Sequence, residues 1–117
     1  MHILVIEDES LIRETMASIL DLDGHVVTLA ADGERGGELF TAGRYDLVLT
    51  DLGMPGLSGW EVVKALKQHR ADVPVIVVTG WGVAIDQPEI DRHRVDGVLA
   101  KPFDMKTLLQ LVQRVTT

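Results

Sequence analysis

A chain of 117 residues, 46% hydrophobic and 25% charged, is long enough to bury one core without covalent staples. It has no cysteine, which excludes disulfides, a thiolate nucleophile and a zinc-ribbon pattern. A formal net charge of -7, with no stripe of Lys and Arg, argues against binding nucleic acid by phosphate neutralisation and against an anionic membrane surface.

The first predicted strand is Ile3-Leu4-Val5-Ile6, running directly into Glu7-Asp8-Glu9. Ser10 is placed to cap the helix that follows, whose apolar positions Leu11, Ile12, Thr15, Met16, Ile19 and Leu20 recur at helical spacing until Asp23-Gly24 stops it. Val26 to Ala30 reads as a second strand. Asp32-Gly33 turns into a short helix with Leu39 and Phe40 inward, ended by Gly43.

Leu47-Val48-Leu49 is too short for a helix and aliphatic enough to be a strand buried on both faces. Asp51 stands where that strand stops, and Met54-Pro55-Gly56 forces a turn just after it. Taken alone, Asp51 reads either as a functional acid in the crevice at the carboxyl edge of a sheet or as a turn-capping residue. A helix over Gly59 to Gln68 packs Val62, Val63 and Leu66, and Pro74 opens the strand Val75-Ile76-Val77-Val78, with Thr79 at its end. Residues 83–94 should form the weakest helix, since Pro88 removes a donor and Asp86-Gln87-Pro88-Glu89 has little apolar stripe. Val98 to Ala100 is a fifth strand. Lys101-Pro102-Phe103 leaves the sheet, and Asp104 caps a last helix carrying Leu108, Leu109, Leu111, Val112 and Val115.

Alternation of strands and helices implies an α/β fold: a doubly wound, five-stranded parallel sheet with helices on both faces, in the order 2-1-3-4-5, as one domain over residues 1–117. That order makes strands 1, 3, 4 and 5 successive neighbours roughly 4.8 Å apart. Their carboxyl ends carry Glu7 and Asp8, Asp51, Thr79 and Lys101. Three carboxylates in one crevice repel each other unless a cation sits among them, and Mg2+ suits oxygen ligands supplied by one or two carboxylates together with a substrate phosphate. With the Lys101 charge and the Thr79 hydroxyl, these are the parts of phosphoryl transfer to a carboxylate. Singly, each has a plainer reading: Glu7-Asp8-Glu9 as acids at a helix start, Thr79 as a strand end, Lys101 as a solvated charge.

The Glu7-Asp8 pair, Asp51 followed by Met54-Pro55 and Gly59, Thr79-Gly80, and Lys101-Pro102-Phe103, in this order, resemble the receiver domain of bacterial two-component response regulators, and the resemblance covers essentially the whole chain. It implies that Asp51 is the phosphoacceptor, and that Glu7, Asp8, Asp51 and the backbone carbonyl of Gly53 hold Mg2+. It implies further that Thr79, Gly80 and Lys101 bind the phosphoryl group, and that the Lys101–Pro102 peptide is cis. The donor would be a phosphohistidine on a sensor histidine kinase or phosphotransfer protein, in the cytoplasm, and the chain would be a signalling switch rather than an enzyme.

Two positions depart from the pattern. Val98 stands where the family often has an aromatic switch residue, and Trp81, two residues past Thr79, is placed to cover the approach to the phosphoryl group. The phrases around Trp60 and Trp81 are similar to receivers attached to sensor kinases. Neither tryptophan falls on a core stripe, so partial exposure at a contact surface is expected; His2, His25, His69 and His93 lack metal-ligand spacing and read as surface residues.

Three rivals share the architecture. An aspartyl-nucleophile phosphatase similar to haloacid dehalogenases needs a second acid two residues after the first, where this chain has Gly53. A flavin carrier needs phosphate donors after strand 1, where Glu7-Asp8-Glu9 would repel the phosphate. A receiver-fold interaction module that is never phosphorylated stays open. No apolar run approaches a membrane span and the N-terminus lacks a signal-peptide pattern, so no membrane insertion is expected. The length leaves no room for a DNA-binding motif or catalytic effector, so output by contact with a downstream protein is expected, unless the chain is a piece of a larger regulator.

Overall fold

The computed structural model describes residues 1–53, 58–80 and 87–117. Strands and helices alternate as β1 (His2–Ile6), α1 (Ser10–Leu22), β2 (Val26–Ala30), α2 (Gly33–Ala42), β3 (Leu47–Asp51), α3 (Gly59–His69), β4 (Val75–Thr79), α4 (Gln87–His93), β5 (Gly97–Ala100) and α5 (Met105–Thr116). The strands form one parallel sheet in the order β2-β1-β3-β4-β5.

Successive side chains on each strand point to opposite faces, so the aliphatic runs feed two cores at once. Leu4, Ile6, Val48, Val75 and Val77 pack beneath Phe40 of α2 and Val62, Val63 and Leu66 of α3. Ile3, Val5, Leu47, Leu49, Ile76 and Val78 pack on the other face against Met16 and Leu20 of α1 and Leu108, Leu111 and Val112 of α5. Full burial of each such side chain contributes about 1.5–3 kcal/mol before chain entropy is counted. Every residue of β3 and β4 is buried, whereas β2, at the edge, leaves Val26 and Leu29 exposed.

Helix ends follow the expected chemistry with one correction. Asp32, Ser58 and Asp104 cap α2, α3 and α5, accepting from the main-chain N–H of Arg35, Glu61 and Thr107. Ser10 does not cap α1: it is the first helical residue, and Glu9 before it makes no side-chain cap. Leu11, counted in the apolar stripe, is 76% exposed, because at about 3.6 residues per turn it lies on the opposite side of α1 from the buried Met16 and Leu20. Gly24 takes φ +88° after α1, a conformation that a Cβ disfavours.

Within the expected helix 83–94, Gln87–His93 is helical and residues 83–86 lie outside the described residues, as do Met54, Pro55, Gly56 and Trp81. This helix stops where Arg94 enters the left-handed region at φ 55°. Three histidines are partly buried instead of lying free on the surface: His2 bonds the Thr28 hydroxyl and the Arg44 carbonyl oxygen, His25 meets the Met1 amino group and Asp23, and His93 stacks on Trp60 at 5.1 Å, whereas His69 is exposed with the Phe40 ring edge-on to it. At the amino ends of the strands Lys67 is buried, donating to the Val73 carbonyl at 2.7 Å and to Asp96 at 3.2 Å. The same Asp96 oxygen accepts from the Val75 N–H, so one buried ammonium ties α3 to the starts of β4 and β5.

Candidate functional site

Strand register assembles the site. Ile6 lies level with Thr50, which sets Glu7 and Asp51 side by side at the carboxyl edge. Asp51 is level with Val78, and Thr79 with Ala100, so Thr79 and Lys101 each stand one step further along the same edge.

The Lys101 ammonium is the hub. Its Nζ lies 2.7 Å from Glu7 Oε1 and 3.0 Å from Asp51 Oδ2, while the Gly53 N–H donates to Asp51 Oδ1 at 3.0 Å. Glu7 is 1% exposed and Asp51 5%, so both carboxylates sit where water screens them little. Carboxylate oxygens of Glu7, Asp8 and Asp51 lie within 4.8 Å of one another. Thr79 is buried and lines the same cavity of about 690 Å³ as Asp51, Gly53, Gly80, Val98 and Lys101. Among the described residues the Thr79 hydroxyl makes no hydrogen bond and is free to serve as a donor. The Lys101–Pro102 peptide is cis, as the resemblance implied.

Burial pushes the Glu7 carboxyl up to about 7, with the Asp51 and Asp8 carboxylates adding to the rise and Lys101 and the Glu9 N–H opposing it. Burial acts on Asp51 in the same direction, but the Gly53 N–H, Glu7 and Lys101 outweigh it and hold Asp51 below the usual carboxylate range. For Lys101, desolvation is outweighed by Glu7 and Asp51, and its value rises. The result is an ionised Asp51, an ionised Lys101 and a Glu7 that shares the neutral range.

The sign of the resulting pH dependence is opposite for the two acids. Folded Glu7 keeps its proton to about 7, against 4.5 for the free group, so in metal-free buffer its contribution to stability rises as pH falls from 8 through 7 toward 4.5. Asp51 adds stability above its ordinary 3.8 and loses it at more acid pH. A urea midpoint at pH 5.5 above that at pH 8 is expected, with the difference reduced in Glu7→Gln. A Glu7→Gln variant with the same pH slope as the parent would show that Glu7 is not its source.

Oxygen donors fit a hard divalent ion. Glu7 Oε1 is buried against the Lys101 ammonium at 2.7 Å, and the second lone pair of that carboxylate oxygen can serve a hard cation. Asp8 stands further out, partly exposed. Trp60, expected at a contact surface, is half-buried, packs on the core below α3 and lines the site cavity. Val98 is half-buried on the same face. Trp81, expected to cover the site, lies outside the described residues. Arg13, which belongs to no motif in the sequence, reaches back with its guanidinium to the main chain of Glu7 and Asp8.

The response regulator receiver domain pattern matches residues 3–113. The chain belongs to this family. Over 115 residues this receiver domain is 38% identical to Response regulator RR06 of Streptococcus pneumoniae, covering 98% of this chain and 51% of that protein. It is 32% identical to the transcriptional regulatory protein CusR of Escherichia coli, covering 97% of this chain and 50% of that one. The receiver domain thus spans about half the length of the curated relatives it matches. Its fold is similar to chemotaxis protein CheY4 of Vibrio cholerae, with TM-score 0.91, 29% identity and 97% of each chain covered. It is also similar to response regulator TrrA of Thermotoga maritima, solved in complex with Mg(2+)-BeF, with TM-score 0.84, 32% identity and 97% of each chain covered.

Proposed function

We propose that this receiver domain, over residues 1–117, is a phosphoacceptor switch in which Asp51 takes a phosphoryl group from a phosphohistidine on a sensor histidine kinase or phosphotransfer protein. The observation that carries this reading is the Asp51 carboxylate at the end of β3, kept ionised by the Gly53 N–H and Lys101 beside two further acids. In the step, an Asp51 oxygen forms a bond to phosphorus as the P–N bond breaks, and the departing imidazole keeps the electron pair and takes a proton. Lys101, already on Asp51 Oδ2, is placed to follow negative charge onto the phosphoryl oxygens, and the Thr79 hydroxyl and Gly80 line the same space.

Glu7, Asp8, Asp51 and the Gly53 carbonyl would hold Mg2+, which when bound supplies charge neutralisation between the carboxylates and the phosphoryl oxygens. Val98 is β-branched and has no ring to swing, so an output signal must use contacts elsewhere on the molecule. Such output would be by contact with a downstream protein. CusR is named as a transcriptional regulator, but the chain here aligns with half of it. With a net charge of -7, we assign no nucleic-acid contact to these 117 residues. Among the described residues no helix is long and apolar enough to cross a membrane, and we place the switch in the cytoplasm with its kinase partner.

The direct test is transfer from a radiolabelled, autophosphorylated sensor kinase. Label should leave the kinase and appear on this chain in the presence of magnesium, with no turnover of phosphomonoesters. Label that stays on every kinase offered, together with no labelling by small phosphodonors, would favour the unphosphorylated interaction module; steady phosphomonoester turnover would favour the phosphatase.

A further inference from the structure

Two of the three site acids sit where the chain leaves β1, and at that point the main chain loses its sheet partners. The Glu7 N–H still donates to the Ala30 carbonyl at 3.0 Å, which ends the ladder to β2. The carbonyls of Glu7 and Asp8 need donors from elsewhere. Both are met by one nitrogen: Arg13 Nη1 donates to the Glu7 carbonyl at 2.8 Å and to the Asp8 carbonyl at 3.3 Å. Arg13 is fixed in turn on the first turn of α1, its own N–H donating to the Glu9 carbonyl at 2.9 Å. Its side chain is partly buried against the turn it braces.

The two acids are held differently. Glu7 is buried and has Lys101 and the Glu9 N–H on its carboxylate. The Asp8 carboxylate, partly exposed, has no cationic partner among the described residues, so its direction is set by its main chain. That main chain is what Arg13 grips. We propose that Arg13 is a positioning residue for the metal site, fixing the β1–α1 turn so that the Asp8 carboxylate faces Glu7 and Asp51. This rests on the reading that Glu7, Asp8 and Asp51 hold Mg2+. Groups that orient metal ligands in this indirect way typically change affinity by about 10–100-fold when removed.

Charge and positioning make opposite predictions here. Removing a cation beside a cation site lowers repulsion, so on electrostatics alone Arg13→Gln should bind magnesium more tightly. If Arg13 positions Asp8, the same variant should bind it more weakly. Titration of the full chain with magnesium chloride, followed by amide NMR shifts at fixed ionic strength, reads the sign directly. The expected result is an apparent Kd raised about tenfold in Arg13→Gln, with Arg13→Lys, which keeps the charge as a compact ammonium, lying between that variant and the parent. Arg13→Lys also serves as the readout if Arg13→Gln fails to fold, and its affinity should then fall below the parent's. Affinity equal to or above the parent's in the variants that fold would overturn the proposal while leaving the metal reading intact. A parent that shows no response to magnesium, or one whose response survives Asp8→Asn undiminished, would instead overturn the metal reading, and this proposal with it.

Discussion

Asp51→Asn is expected to lose phosphoryl transfer completely, by roughly a thousandfold in rate or more, the scale on which removing a nucleophile acts. Asparagine keeps the shape of the side chain and its place beside Gly53 and Lys101. What it removes is the anionic oxygen, which burial acts against and which the Gly53 N–H, Glu7 and Lys101 keep ionised. The amide nitrogen that replaces it has its lone pair delocalised and cannot attack phosphorus. The substitution also takes one charge out of a crowded buried cluster, so the variant should remain folded. A loss of labelling with an unchanged circular dichroism spectrum therefore reports chemistry and not unfolding. Labelling of Asp51→Asn at the parent's rate would move the acceptor to another residue.

Gly59→Ala carries the largest expected cost in stability. Gly59 opens α3 against the exit of β3, and a Cβ there would lie 2.4 Å from the Leu52 Cα and 2.6 Å from the Asp51 carbonyl oxygen. These are backbone atoms, which cannot rotate aside, so either α3 or the end of β3 has to move. Overpacking of this kind costs about 1–3 kcal/mol and occasionally more; here the upper end is expected, and the displaced strand end is the one that carries Asp51. Gly37 is the control. It lies inside α2, where an added Cβ meets nothing within 4 Å. Gly37→Ala should stabilise by about 0.5–1 kcal/mol, since glycine loses more backbone freedom on folding. Urea denaturation of both variants checks the pair, and equal midpoints for the two would contradict the close approach at Gly59.

The site was legible in the sequence because its members stand at the ends of short aliphatic runs, and such runs are readable without an alignment. Once Ile3–Ile6, Leu47–Leu49, Val75–Val78 and Val98–Ala100 are taken as parallel strands in the order 2-1-3-4-5, Glu7, Asp51, Thr79 and Lys101 fall at one edge, and the observed register brings those strand ends together. What escaped the sequence depends on main-chain geometry. The Arg13 guanidinium and the buried Lys67 ammonium both act on carbonyl oxygens, of Glu7 and Asp8 and of Val73, and every residue has a carbonyl. No residue type marks such a contact in advance. The Ser10 cap failed by a single position, because both Glu9 and Ser10 are chemically able to precede a helix and only the backbone decides. Trp60 gave no stripe because its environment is assembled across elements, from the core below α3 on one side and His93 of α4 on the other.

Site mapping of the adduct tests the central claim most directly. The parent chain, treated with a small-molecule phosphodonor with and without magnesium, would be measured as intact protein and then as peptides by mass spectrometry under conditions that preserve acyl phosphates. One phosphoryl group, dependent on magnesium and carried by the peptide containing Asp51, is the result that follows from an ionised Asp51 flanked by Glu7, Asp8 and Lys101. A phosphoryl group on any other residue, or an unmodified chain in the presence of both donor and magnesium, would contradict it.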